Sequence, residues 1–513
     1  MKNAQKTSLK IQQIIKKEVN IIWFKRDLRL HDHLPLYNAV QEGKPLLLLY
    51  ILEPSLEADP HYSDRHFNFI KESLQNLQRE LTAFDSKVLI VHDEVVSTFK
   101  ELIKHYKIHT VFSHQETGLR ITYDRDLALE AYANNLKIAS PENKFGWVEF
   151  ANNGVQRKLR NRVGWSEDWE WFMKQPQIPF QPRKDQLLSI EDINALEDNF
   201  KKVSLQTPAS SPFQKGGTTM AMRYLASFLH DNRYLNYAKH ISKPSLARKS
   251  CSRLSPYIAW GNVSIRQVYQ EAKHFRESSK NKRAIDGFTS RLRWQAHFIQ
   301  KFEMEDSMEF VSVNKGYHKL SKNVNVKYQK AWKEGKTGYP LVDACMRCLC
   351  ETGYLNFRMR AMTLSFFTHN LWQPWQDATY HLAQQFLDFE PGIHYPQIQM
   401  QAGETGINML RIYNPVKNSY EHDENGEFIK KWIPELVNVP VAYIHEPWTM
   451  SALEQQFCNT VIGENYPAPI IDIKKTAKHA GDVLWKLKED NIVKRDAYRI
   501  LRRHTLANRN NFD

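Results

Sequence analysis

Val19-Asn-Ile-Ile-Trp-Phe24 is almost entirely apolar and has the length of one strand. A short run rich in β-branched and aromatic residues predicts a buried strand. Three further runs of this kind follow: Pro45-Leu-Leu-Leu-Leu-Tyr-Ile51, Lys87-Val-Leu-Ile-Val91 and Thr110-Val-Phe112. Helical patterns lie between them, at 66–81 and 95–104. Strands alternating with helices form βαβ units, which build a parallel sheet with ligand space beyond the carboxyl ends of its strands. Neither GxGxxG nor GxxxxGK[ST] occurs in this part, so a standard dinucleotide or P-loop site is not supported.

The pattern weakens from 140 to 215, where Pro176, Pro179, Pro182 and Thr207-Pro-Ala-Ser-Ser-Pro212 punctuate it. From Gly216 onward the chain reads as helices joined by short polar turns, without an internal repeat. The expected fold class is an α/β domain with a parallel doubly wound sheet, followed by an all-α domain. The expected boundaries are a basic N-terminal extension (1–18), the α/β domain (19–139), a linker (140–215), the helical domain (216–490) and a basic C-terminal segment (491–513). A length of 513 residues calls for more than one core and agrees with this division.

Composition narrows the function classes. The net charge of +14 favours a polyanionic partner, because cationic side chains release counterions from phosphates. No apolar run is long enough to cross a bilayer, and the Lys-rich first residues do not resemble a secretory signal. Five cysteines, an odd number in a long chain, fit a reducing cytoplasm. Cys345 and Cys348 form a CxxC within a helical pattern and have no second pair to complete a zinc site, so no metal is expected. The 13 tryptophans exceed the needs of packing only modestly, yet suit a redox-active or base-stacking protein.

Trp23-Phe-Lys-Arg-Asp-Leu-Arg-Leu-His-Asp32 resembles the opening of cryptochrome/photolyase proteins. The later half resembles them further, in Ser252-Arg-Leu-Ser-Pro-Tyr-Ile-Ala-Trp-Gly261, Lys336-Thr-Gly-Tyr-Pro-Leu-Val-Asp343, Asn356-Phe-Arg-Met-Arg360 and Arg411-Ile-Tyr-Asn-Pro415. Asn425-Gly-Glu-Phe-Ile-Lys-Lys-Trp-Ile-Pro-Glu435 completes the series. The resemblance implies an antenna domain, a linker and a helical domain holding FAD. It also allows an antenna chromophore, whose identity His114-Gln-Glu-Thr-Gly118 does not specify. In the family's repair members, photoexcited reduced flavin passes an electron to a pyrimidine dimer, which splits and returns it.

The same resemblance implies the site residues. Tyr237, Ser252, Arg253, Leu254 and Ser255 match the FAD phosphate cradle, and the two serines are good helix-cap types. Arg360 and Asp388 match a buried ion pair beside the flavin ring, and Glu390 matches an acid at the ring edge. His394 stands where Asn is usual, facing flavin N5, and brings a group able to exchange a proton near neutral pH. Trp294 matches an aromatic wall for the flipped lesion.

Other positions depart from the family. Arg291 replaces a Glu that contacts the dimer, Phe357 replaces an Asn, and Met400 replaces a second aromatic wall. The electron path keeps its middle member, Trp375, but reads Ile398 at the proximal position, and its outer position falls near Lys322. Trp372, Tyr380, Tyr395 and Tyr413 are candidates for a substitute route. The paired histidines of (6-4) repair enzymes are absent, with Phe357 and Ala361 in their places. The expected function is a monomeric cytoplasmic photolyase acting on cyclobutane dimers in UV-damaged DNA, with no membrane contact. The alternatives are a blue-light receptor and, third, a (6-4) lyase.

Overall fold

The computed structural model describes residues 16–505. The basic N-terminal extension therefore lies almost entirely outside the described residues. Five parallel strands form one sheet: β1 (Glu18–Phe24), β2 (Leu46–Leu52), β3 (Leu89–His92), β4 (Lys107–His114) and β5 (Gly146–Phe150). Their order is β3-β2-β1-β4-β5, with β1 in register against β2 from Asn20↔Leu46 to Phe24↔Tyr50. The four apolar runs seen in the sequence are the first four strands. β5 extends the sheet into the stretch read as linker. It is an edge strand that pairs only with β4 and leaves its side chains partly exposed, so it lacks an apolar run.

Alternation within β1 sends Ile22 and Phe24 to one face, and Val19, Ile21 and Trp23 to the other. The second face is closed by the Val95–His105 and Arg120–Ala139 helices through Phe99, Leu102, Leu129 and Leu136. On the first face the Asp64–Leu81 helix supplies Phe69, Leu74 and Leu77. That core continues without a break into the helical half, through Tyr257, Trp260 and Phe389. Among the described residues, every named element after β5 is helical. Cys345 and Cys348 are buried in the Pro340–Thr352 helix as packing groups.

The loop after β1 fastens the two halves together. Arg26 lies over the Trp260 ring, 4.3 Å from its centroid, and donates from Nε to the Ala259 carbonyl at 3.1 Å. Arg29 donates to the Gly261 carbonyl at 3.1 Å, and Asn262 donates to the Leu28 carbonyl at 3.2 Å. Asp32 takes two bonds from Arg266, with Nε at 3.0 Å, and a third from Ser264. The backbones approach so closely that a Cβ on Gly261 would stand 2.3 Å from the Arg26 carbonyl oxygen. With φ at +72°, glycine is required there on both counts.

Candidate functional site

The stretch expected to cradle phosphates joins two short helices, Pro244–Ser250 and Ser255–Ala259. The expectation that Ser252 and Ser255 cap a helix is corrected by the structure. Leu254 occupies the cap position and Ser255 is already the first helical residue. The Ser255 hydroxyl is committed to Asp388 instead, and the Ser252 hydroxyl accepts from the Leu254 N–H at 3.4 Å.

Arg253 sits in the left-handed region at φ +62°, which turns its side chain over the Tyr354 ring, 3.8 Å from the centroid. It donates to Gln214 Oε1 at 2.7 Å, and Gln214 Nε2 donates back to the Arg253 carbonyl at 2.9 Å. Its buried Nε has no partner. Arg248 lies over the other reach of Tyr354 at 5.5 Å, and Arg233 donates to the carbonyls of Lys249 and Cys251. Among the described residues, none of these three arginines has a carboxylate within ion-pair distance. Burial pushes the Arg253 pKa down, as expected for a cation without a counter-charge. A cluster of unpaired cations is unfavourable until an anion enters, so this donor set fits a diphosphate. Tyr237 is buried against Phe228 and Phe288 and is hydrogen-bonded to Arg291.

Asp388 joins this cradle to the next part of the site. It receives Arg360 Nη2 at 3.0 and 2.8 Å as well as the Ser255 hydroxyl. Burial works against its charge, yet Arg360 and these hydrogen bonds hold its pKa below the usual carboxylate range. Glu390, two residues on, has Arg26 Nη2 at 3.7 Å, and burial outweighs that partner, raising its pKa to about 7. Asn356 donates its side-chain N–H to the Ile241 carbonyl while its buried Oδ1 has no partner, a second open position near the ion pair.

His394 differs from expectation in its proton chemistry. Its Nε2 lies 3.1 Å from the Thr379 carbonyl, which places the proton on Nε2 and leaves Nδ1 as an acceptor. Burial and neighbouring His61 push its pKa down to about 3, so it is a neutral hydrogen-bonding group, not a proton exchanger near pH 7. Trp375 is buried and donates to Ser312 Oγ and Glu404 Oε2, each at 3.1 Å. The Lys322 side chain is buried too, paired with Glu404 at 3.4 Å and lying over Trp372 at 4.9 Å. Ile398 is buried.

The expected lesion residues are more exposed than this interior, and Arg291 joins them to the cradle through its hydrogen bond with Tyr237. Trp294 is 41% exposed on the Lys282–Met304 helix, flanked by His297 and Phe298 of the same helix. Arg291, one turn earlier, is exposed. Phe357 is also exposed, and Met400 is half-buried on the Pro391–Gln401 helix. Sequence reasoning passed over Arg26, Arg233, Arg248, Gln214 and Tyr354. Only Arg26 carried a signal, inside the Trp23 to Asp32 motif.

A sheet domain fastened to a helical domain that gathers arginines without carboxylate partners beside a half-buried Arg–Asp pair fits a protein that holds an anionic nucleotide cofactor. Residues 20–144 match the DNA photolyase family, and residues 288–486 match the FAD binding domain of DNA photolyase. The chain belongs to the cryptochrome/photolyase family, and FAD is its cofactor. It is 27% identical over 473 residues to the deoxyribodipyrimidine photo-lyase of Alkalihalophilus pseudofirmus, covering 90% of this chain and 96% of that one. It is 26% identical over 479 residues to cryptochrome DASH of Synechocystis sp., covering 89% and 96% respectively. The solved structure of a Synechocystis sp. cryptochrome superposes with a TM-score of 0.79 at 23% identity, over 91% of this chain and 99% of that one. Among the described residues no helix is long and apolar enough to cross a membrane.

Proposed function

We propose that this protein repairs cyclobutane pyrimidine dimers in DNA, using light to drive an electron from reduced FAD into the lesion. The observation that carries the reading is the exposed indole of Trp294, one helical turn from Arg291, whose side chain reaches Tyr237 in the cradle. An accessible aromatic face beside a cofactor site is what a flipped base needs for stacking. Arg233, Arg248 and Arg253 then take the FAD diphosphate, with Tyr237, Ser252, Leu254 and Ser255 shaping the cradle around them. Arg360 and Asp388 flank the ring, Glu390 accepts from its edge, and His394 presents its free Nδ1. When bound, the flavin supplies the one-electron chemistry, and the protein supplies orientation and charge.

The protein acts as a cytoplasmic monomer on UV-damaged DNA, drawn to it by the net charge of +14. An antenna pigment would belong to the α/β domain, beyond the carboxyl ends of its parallel strands.

A blue-light receptor is the second reading. It is favoured by Arg291, Phe357 and Met400 standing where repair members contact the lesion. The deciding experiment gives flavin-reduced protein an oligonucleotide with one defined dimer under blue light, with a dark control. Light-dependent recovery of intact thymines supports repair. Binding without recovery in light supports the receptor.

A further inference from the structure

Trp375 has an aromatic neighbour that no departure from the family explains. The Tyr395 ring centroid is 6.3 Å from that of Trp375, and the phenol is buried. Its hydroxyl lies 2.5 Å from His61 Nε2, and His61 Nδ1 lies 2.6 Å from Asp59 Oδ1. Asp59 Oδ1 also accepts the His61 backbone N–H at 3.0 Å, which fixes the carboxylate against the ring. Phe389 stacks on the imidazole at 5.6 Å and 13°, and the Tyr380 ring meets its edge at 4.8 Å. His61 belongs to the loop before the Asp64–Leu81 helix, while Tyr395 belongs to the helical half, so the three residues meet only in the folded chain.

The tautomer follows from the partners. A carboxylate accepts only, so the imidazole proton sits on Nδ1 facing Asp59. Nε2 is then a lone pair aimed at the Tyr395 O–H. The other groups facing this phenol are Thr379, Glu309 and Tyr380, with His394 beside its ring. Burial raises the phenol pKa, and the acids Glu309 and Asp59 add to it, so Tyr395 stays protonated until a base takes its proton.

We propose that Tyr395, His61 and Asp59 form a proton-coupled electron donor that re-reduces Trp375 after its oxidation. The proposal rests on FAD as the cofactor and on Trp375 as the retained member of the electron path, with photoexcited oxidised flavin as its one-electron oxidant. In the step itself one electron passes from the Tyr395 phenol to the Trp375 indole radical cation. The Tyr395 O–H bond breaks and an Nε2–H bond forms on His61. The products are neutral Trp375, a neutral tyrosyl radical and an imidazolium held by Asp59. Without the base, oxidation would leave a charged phenol in a buried site, which is strongly disfavoured. With it, the positive charge moves to an ion pair with Asp59. The arrangement stands in for the outer tryptophan, whose place falls near Lys322.

The flavin-loaded full chain is flashed in H2O and in D2O, and the radicals are followed by transient absorption and electron paramagnetic resonance. The expected result is a tryptophan radical replaced by a tyrosyl radical, more slowly in D2O. Tyr395→Phe keeps the ring against Phe302 and should lose the tyrosyl signal while prolonging the tryptophan radical. His61→Gln retains a polar group without a base, and tyrosyl formation should slow by about 100-fold, the usual weight of a positioned proton acceptor. A separate arm needs no flavin. In ¹⁵N-histidine NMR of the flavin-free protein, His61 should be the Nδ1–H tautomer, with an Nε2 shift that changes in Tyr395→Phe. An Nε2–H tautomer overturns the proposal. So does a tryptophan radical that decays alike in the parent and in Tyr395→Phe. A parent protein that yields no oxidised tryptophan refutes the photoreduction path through Trp375 and the donor role together, and leaves dimer splitting by chemically reduced flavin untouched.

Discussion

Arg253→Met separates binding from folding at the cradle. In the flavin-free protein Arg253 is a half-buried cation with one neutral acceptor, Gln214, and no carboxylate. Methionine removes that charge and keeps much of the volume over Tyr354. Losing the bond to Gln214 costs about 1 kcal/mol, and losing the contact of guanidinium with ring costs about 1 kcal/mol more. Relief of a partly desolvated charge without a counter-ion works in the opposite direction. The flavin-free variant should therefore unfold within about 2 kcal/mol of the parent. FAD binding moves the other way. One charge-assisted hydrogen bond to a phosphate is worth roughly 1.5–3 kcal/mol, so Kd for FAD rises roughly 10–150-fold. Denaturant unfolding of both flavin-free proteins, and FAD titration by fluorescence quenching, measure the two quantities. A variant that unfolds several kcal/mol sooner makes Arg253 a structural residue, and unchanged FAD affinity puts the diphosphate elsewhere.

Trp294→Ala loses about 1–3 kcal/mol of affinity for dimer-containing DNA while keeping FAD, since a stacking face is removed; equal affinity in a gel-shift titration makes it a packing residue. Trp375→Phe abolishes photoreduction of oxidised flavin yet leaves dimer splitting intact after chemical reduction, as flash absorbance and a repair assay will read; unaltered photoreduction removes Trp375 from the path. Glu305 accepts from His504 at 2.7 Å and from Arg499 at 2.9 and 3.0 Å, tying the last helix to the end of the Lys282–Met304 helix. Burial opposes its charge, but these bonds hold its pKa down to about 2, so its contribution is complete above pH 4.5 and is lost as pH falls through 2. Glu305→Gln should melt earlier than the parent at pH 7, with the gap closing between pH 4.5 and 2; a gap independent of pH shows that the carboxylate charge is not what matters.

The sheet was legible because its first four strands, edge strand β3 included, are largely buried, and such strands are written in continuous apolar residues. β5 was not, because an edge strand with half-exposed side chains leaves no such run. The Arg360–Asp388 pair was anticipated from motifs and is found joined. The serine caps were misread because local propensity says nothing of Asp388, which is distant in sequence and claims the Ser255 hydroxyl. His394 was expected to titrate near neutral pH because its burial is a property of packing, which no single residue carries. The arginine cluster around Tyr354 and the meeting of His61 with Tyr395, 334 residues apart, exist only after folding. A lone His in a polar loop gives no advance sign of either partner.

The contact of the loop after β1 with Gly261 bears on how parts of this chain can be exchanged. A chimaera that joins its sheet domain to a relative's helical half transplants Asp32 and Arg26 with the sheet, but leaves Arg266, Ser264, Trp260 and Gly261 behind. Any residue larger than glycine at the receiving position collides with the Arg26 backbone. An Asp32 deprived of its guanidinium becomes a stranded buried charge, at a cost of about 3–5 kcal/mol. The workable unit of exchange is therefore the sheet domain together with 259–266, two segments remote in sequence that must be grafted as one.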